Sequence, residues 1–158
     1  MRRMLAVLAA VAVSGACSSP ATTADAANEQ DQAPAVTEQT MRIRITTTDQ
    51  VFTAVLEDSE TARDFASLLP IEVTLDDYNQ TEKVADLPRR LSTGGAPDGT
   101  DPVVGDIAYF APWGNLAIYY RDFAWSRGLV RLGRLEGDAS SLAAVEAGKA
   151  RIEIIPED

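Results

Sequence analysis

The sequence predicts a mainly β domain, a small barrel or sandwich with one or two short helices, behind a leader and a tether. Three observations carry this. Short stretches of alternating apolar and polar residues recur from Met41 onward, Pro and Gly cluster between them, and one stretch alone repeats its apolar residues at clear helical spacing. No internal repeat accompanies them.

Taken in order, Met41, Ile43 and Ile45 alternate with Arg42, Arg44 and Thr46, and VFTAVLED follows after Asp49-Gln50. Period two around a short turn reads as a hairpin with one buried face. Ser59 is placed to cap SETARDFASLLP, where Ala62, Phe65, Ala66 and Leu69 share a helix face and Pro70 ends the run. IEVTL, residues 71–75, alternates again. DLPRRLSTGGAPDGTDPVVGD, residues 86–106, holds Pro88, Pro97 and Pro102 with four glycines and reads as a long exposed loop. IAYFA and NLAIYY then form an aromatic hairpin. GLVRLGRLEG reads as a strand, SSLAAVEAGK as a helical turn and RIEII as a last strand.

The first forty residues are of another kind. Arg2 and Arg3, the apolar run Met4 to Val13 and small residues ahead of Cys17 have the shape of a secretory signal, residues 1–16, and the run is short of the ~20 residues a membrane span needs. Ser14-Gly15-Ala16-Cys17 resembles a bacterial lipobox, departing from it at Ser14, and implies a lipid on Cys17, the chain's one cysteine. The stretch to Thr40 has no aromatic residue and too little apolar surface to offset its ordering entropy, so residues 17–40 are expected to be a lipidated cysteine and a disordered tether. At about 5 to 6 Å per square-root residue such a tether reaches roughly 25 Å. The folded domain is residues 41–158, and the expected location is the cell envelope, anchored to a membrane by lipid.

Composition excludes several functions. The net charge is −10 and the residues from Met41 carry 12 Lys/Arg against 20 Asp/Glu, so a nucleic-acid partner is not expected. No histidine is present, which removes imidazole-based nucleophilic sites and, with Cys17 the lone cysteine, ordinary zinc sites. No metal and no cofactor are expected. GGAPDG lacks the lysine of a phosphate loop. Asp98, Asp101 and Asp106 lack the spacing of a calcium loop and read as a solvated loop. Asp76-Asp77 is a carboxylate pair of the kind glycoside hydrolysis uses, a role decided by a separation that only the fold sets.

ARDFASLLP, DLPRRLST and above all GDIAYFAPWGNLAIYY followed by RDF resemble the small bacterial cyclophilin-like domain family, over nearly all of residues 41–155. The resemblance implies a compact closed cyclophilin-like β-barrel flanked by one or two short helices, related in shape to peptidyl-prolyl isomerases. Activity does not follow from fold, and the departure that matters is that no single arginine here maps onto the isomerase's catalytic one.

The stretch Gly105 to Tyr120 gathers five of the chain's ten aromatic residues. Twisting a peptide bond past its ~18–20 kcal/mol barrier needs only an apolar pocket and a donor, so Arg89 or Arg90 with Tyr109, Phe110 and Trp113 is one candidate site, completed by Asn115 and Tyr120. In the other reading the aromatics fill a barrel and the arginines cover its surface, and for each arginine this is the preferred one. Pro112, Gly114 and Asn115 suit a turn, which leaves Trp113 as either a folded-back lid or an exposed anchor. By alternation Tyr109, Tyr119 and Tyr120 cannot all face inward, so one of them is expected near the surface. The function expected is a non-catalytic domain that binds a peptide segment or small ligand. The alternatives are a prolyl isomerase acting outside the cytoplasm and, ranked lower, a structural partner module.

Overall fold

A computed structural model of the chain describes residues 41–156. The leader, Cys17 and the tether lie outside the described residues. Ten strands are seen: β1 (Arg42–Thr46), β2 (Val51–Leu56), β3 (Ile71–Tyr78), β4 (Glu82–Asp86), β5 (Gly99–Thr100), β6 (Asp106–Phe110), β7 (Asn115–Tyr119), β8 (Ser126–Arg127), β9 (Leu129–Leu135) and β10 (Gly148–Ile154). Eight of them close into a barrel in the order β1-β10-β3-β4-β7-β6-β9-β2, every pair antiparallel, and β5 and β8 form a separate small ribbon.

Alternation along each strand explains the closure. Ile43, Ile45, Phe52, Ala54, Val73, Leu75, Ile107, Tyr109, Leu116, Ile118 and Ile152 join one core, while their neighbours in sequence face out. Helix α1 (Glu60–Ala66) begins where Ser59 Oγ accepts the Ala62 N–H at 3.1 Å, a cap of about 1 kcal/mol, and it buries Ala62, Phe65 and Ala66 in the same core. A 3-10 helix at Ala139–Ala144 adds Leu142. Gly133 is required where β9 crosses β2, since a Cβ there would stand 2.2 Å from the Val55 carbonyl oxygen. Among the described residues no helix is long and apolar enough to cross a membrane.

The hairpin, the capped helix, the aromatic hairpin and the last strands fall where the sequence places them, and the barrel is closed. Three features differ. The sequence pattern does not mark strand β4, because EKVAD carries three charged residues, two of them, Glu82 and Lys83, at buried positions on opposite faces. The 86–106 stretch is not wholly exposed: Leu91 is buried, its N–H donating to the Tyr109 hydroxyl at 3.1 Å, and Gly99–Thr100 pair with Ser126–Arg127. Tyr119 does face out of the barrel, as alternation demands, yet it is only 3% exposed, so all three tyrosines are buried. A second small apolar cluster, Ala108, Ala117, Tyr119 and Leu129, lies on that outer face with Val84 and Phe110 against it.

Candidate functional site

The outer face of β4, β7 and β6 is built in rows set by strand register. Tyr78 pairs with Glu82 and Glu82 with Tyr119 in one row. Two residues along, Val84 pairs with Ala117 and Ala117 with Ala108. Two further, Asp86 pairs with Asn115 and Asn115 with Phe110. Large side chains in the outer rows and small ones in the middle row leave a hollow of about 220 Å³, floored by Val84 and Ala117. Trp113 stands at one side, and Phe123 and Ser126 border it from the segment between β7 and β9.

Local structure positions the two loop aromatics. Gly114 takes φ +78, a left-handed conformation suited to glycine, and the Trp113 and Gly114 N–H groups both donate to the Phe110 carbonyl. Arg90 clamps this turn, Nη1 donating to the Ala111 carbonyl at 2.5 Å and Nη2 to the Pro112 carbonyl at 3.3 Å. Trp113 meets Tyr78 edge to face at 5.6 Å and 86°, and Phe110 at 5.4 Å and 80°. Phe123 is held by its N–H donating to the Pro102 carbonyl, and next to it the Asp122 carboxylate accepts the Val104 N–H. The rim is open to solvent: Tyr78 is 37%, Phe123 48% and Trp113 60% exposed.

Glu82 and Asn115 are buried polar side chains in this lining, and no Lys or Arg is in it with them. Glu82 is only 9% exposed. Burial pushes its carboxyl up to about 7, the Tyr119 hydroxyl pulls it part of the way back, and the negative charge of Asp77 adds to the rise. The same burial and the Glu82 charge push the Tyr119 phenol well above its ordinary value. Asn115 is buried, and its Oδ1 has no hydrogen-bond partner among the described residues. No Lys or Arg lines the hollow.

Of the residues singled out in the sequence, Phe110, Trp113 and Asn115 come together here. Tyr109 and Tyr120 point into the barrel core instead. Arg89 reaches from the 86–106 segment to α1, donating to both oxygens of Asp64 at 2.6 and 2.9 Å and to Ser67 Oγ at 2.9 Å, and its hydrogen bonds pull the Asp64 carboxyl down to about 2. Neither Arg89 nor Arg90 lines the hollow with the aromatics. The sequence pattern does not mark Tyr78, Glu82, Tyr119 and Phe123 as site residues; the outward parity of Glu82 with Val84 is the one local signal. Asp98, Asp101 and Asp106 do not gather: among the described residues no group of three or more His, Cys, Asp or Glu is placed to hold a metal. Asp106 is buried and caps its own turn, accepting the Val103 N–H at 3.0 Å.

Fold and site together define a closed antiparallel β-barrel with a small aromatic hollow in its outer wall. The model of the cyclophilin-like family matches residues 45–155, and the chain belongs to that family. The solution structure of a hypothetical protein from Archaeoglobus fulgidus is similar, with 19% identity, a TM-score of 0.53 and coverage of 72% of this chain and 94% of that one, a likeness of fold. No curated protein matches the chain.

Proposed function

We propose that this cyclophilin-like barrel is a non-catalytic binding domain that takes a peptide segment or small ligand in its outer-wall hollow. One observation carries the reading: an open aromatic rim surrounds a buried carboxyl and a buried, unpartnered amide oxygen, while Arg89 and Arg90 spend their donors on Asp64, Ser67 and the Ala111 and Pro112 carbonyls. At about 220 Å³ the hollow is below the ~300–1,000 Å³ of pockets that enclose drug-sized ligands, so it suits one head group or one side chain. The signal-like start and Cys17 support a lipid-anchored place in the cell envelope, which labelling with a fatty-acid analogue and its loss in Cys17→Ala would test.

The binding test uses Trp125→Phe protein, which leaves Trp113 as the one fluorescent tryptophan. Proline-containing peptides are expected to shift its emission, while isomerisation of a reporter peptide stays at its uncatalysed pace of tens to hundreds of seconds. A large acceleration, lost in Arg89→Ala or Arg90→Ala, would establish the isomerase alternative instead.

A further inference from the structure

The walls of the hollow and the charges around it restrict what fits there. Trp113 stands nearly perpendicular to both Tyr78 and Phe110, so a group in the hollow meets aromatic surface from more than one direction. Glu82 supplies a carboxyl from β4, and Asn115 borders the hollow with its amide oxygen buried and unpartnered among the described residues. On the other side of Trp113 and Asn115 a second, shallower hollow is bordered by Glu72, Asp76 and Asp86, again without a Lys or Arg. Ring faces carry negative potential and attract organic cations, most strongly at Trp. Among the described residues an anionic ligand meets no Lys or Arg in either hollow, and a neutral apolar one leaves the ionised Glu82 carboxyl without a counter-charge.

We infer that the hollow between Tyr78, Glu82, Phe110 and Trp113 is a site for an organic ammonium ion, with the aromatic rings around the cation and the Glu82 carboxylate as its counter-charge. This rests on the hollow being the binding site. The net charge of −10 draws such a ligand in. The raised carboxyl of Glu82, about 7, agrees with a charge waiting for its partner. The charged and titratable groups around it are Asp77 and Tyr78 from β3, Tyr119 from β7 and Tyr120 just after it, and none of these supplies a positive charge. Lys83, next along β4, is turned into the barrel and bound to Asp77. Binding a cation lowers the Glu82 pKa, so near pH 6.5 it should release a proton, seen as a binding heat that changes with the ionisation enthalpy of the buffer.

The ammonium could be a free small molecule or the side chain of a basic peptide, and both present the same chemistry. The test titrates Trp125→Phe protein with choline, with its uncharged isostere 3,3-dimethyl-1-butanol, and with a capped trimethyllysine dipeptide, following Trp113 emission. Choline is expected to bind at least about tenfold tighter than the isostere. Glu82→Gln should cut that preference severalfold, to what the rings alone give, while its melting curve shows a folded barrel. Tighter binding of the dipeptide than of choline would identify a peptide source, and weaker binding a free cation. Isostere binding equal to choline overturns the ammonium assignment and leaves a plain apolar binding site. If neither these probes nor proline peptides move Trp113, the hollow itself is wrong as a site.

Discussion

Glu82 and Lys83 are neighbours on one strand, both charged and both at least nine-tenths buried, and they are treated in opposite ways. Lys83 faces into the end of the barrel, where its Nζ donates to Asp77 Oδ2 at 2.9 Å and lies 5.6 Å from the Tyr120 ring centre; the Tyr120 hydroxyl donates to the same Asp77 oxygen at 2.6 Å. Its charge is answered within the chain, and Asp77 in turn is held below its ordinary range by the Tyr120 and Lys83 hydrogen bonds. Glu82 faces out and has a phenol and a second negative charge for company. A buried charge costs stability unless paired. The inward one belongs to the architecture, and the outward one remains for a ligand to satisfy.

The comparison breaks first at Asp77. Asp77→Ala strands the Lys83 ammonium inside the barrel and should cost about 2–3 kcal/mol in urea unfolding. That is below the ~3–5 kcal/mol of a fully buried pair because the Asp77 side chain is 37% exposed and partly screened by water. Asp76→Ala, on the exposed face beside it, should change stability by less than about 0.5 kcal/mol. Equal losses from the two would mean that the Lys83 charge is not held by Asp77.

Glu82→Gln should act in the other direction. The folded carboxyl titrates near 7, above its ordinary 4.5. Below 4.5 both folded and unfolded chains carry the proton and nothing is lost. As pH rises from 4.5 to 7 the unfolded chain releases it first, so stability falls with pH, and above 7 the whole cost is present. One unit corresponds to about 1.4 kcal/mol, and with a discount for the open rim Glu82→Gln should be more stable by about 2 kcal/mol at pH 8 and indistinguishable at pH 4. A flat difference between the two pH values would show that Glu82 does not carry this charge penalty.

The smallest effect is expected at Trp113. A buried tryptophan truncated to alanine costs about 3–5 kcal/mol, whereas a side chain 60% exposed should cost under about 1 kcal/mol while removing ligand response. Thermal unfolding of Trp113→Ala decides between an exposed anchor and a lid on the core.

Much of the barrel was readable because period-two alternation in MRIRITTT, VFTAVLED and RIEII, and the Ser59 cap, are local signals. Strand β4 was not, since Glu82 and Lys83 are polar on both faces and each is tolerated only through contacts made elsewhere in the fold. The site divides the same way. Phe110, Trp113 and Asn115 stand out because they sit together in one hairpin. Tyr78, Glu82 and Tyr119 become a row only through register between β3, β4 and β7, and Phe123 arrives from the far end of a connection. The 86–106 loop read as exposed because its Pro and Gly content says nothing of Leu91, which Tyr109 anchors from inside the barrel.

Closure of the barrel also limits how this domain can meet an extended chain. Each of its eight strands already has two hydrogen-bonded neighbours, and the β5-β8 ribbon has only two residues per strand. The pairing is uneven, however: β3 meets β4 only at Asp76–Tyr78, so the backbone of Ile71–Leu75 has a strand partner at β10 alone, and a peptide joining as an added strand, the route by which many domains read a main chain, would have to enter at such a gap. Where strands pair on both sides, as β4 and β7 do along the wall of the hollow, a peptide is gripped through its side chains, and its sequence is read at the residue that enters the wall.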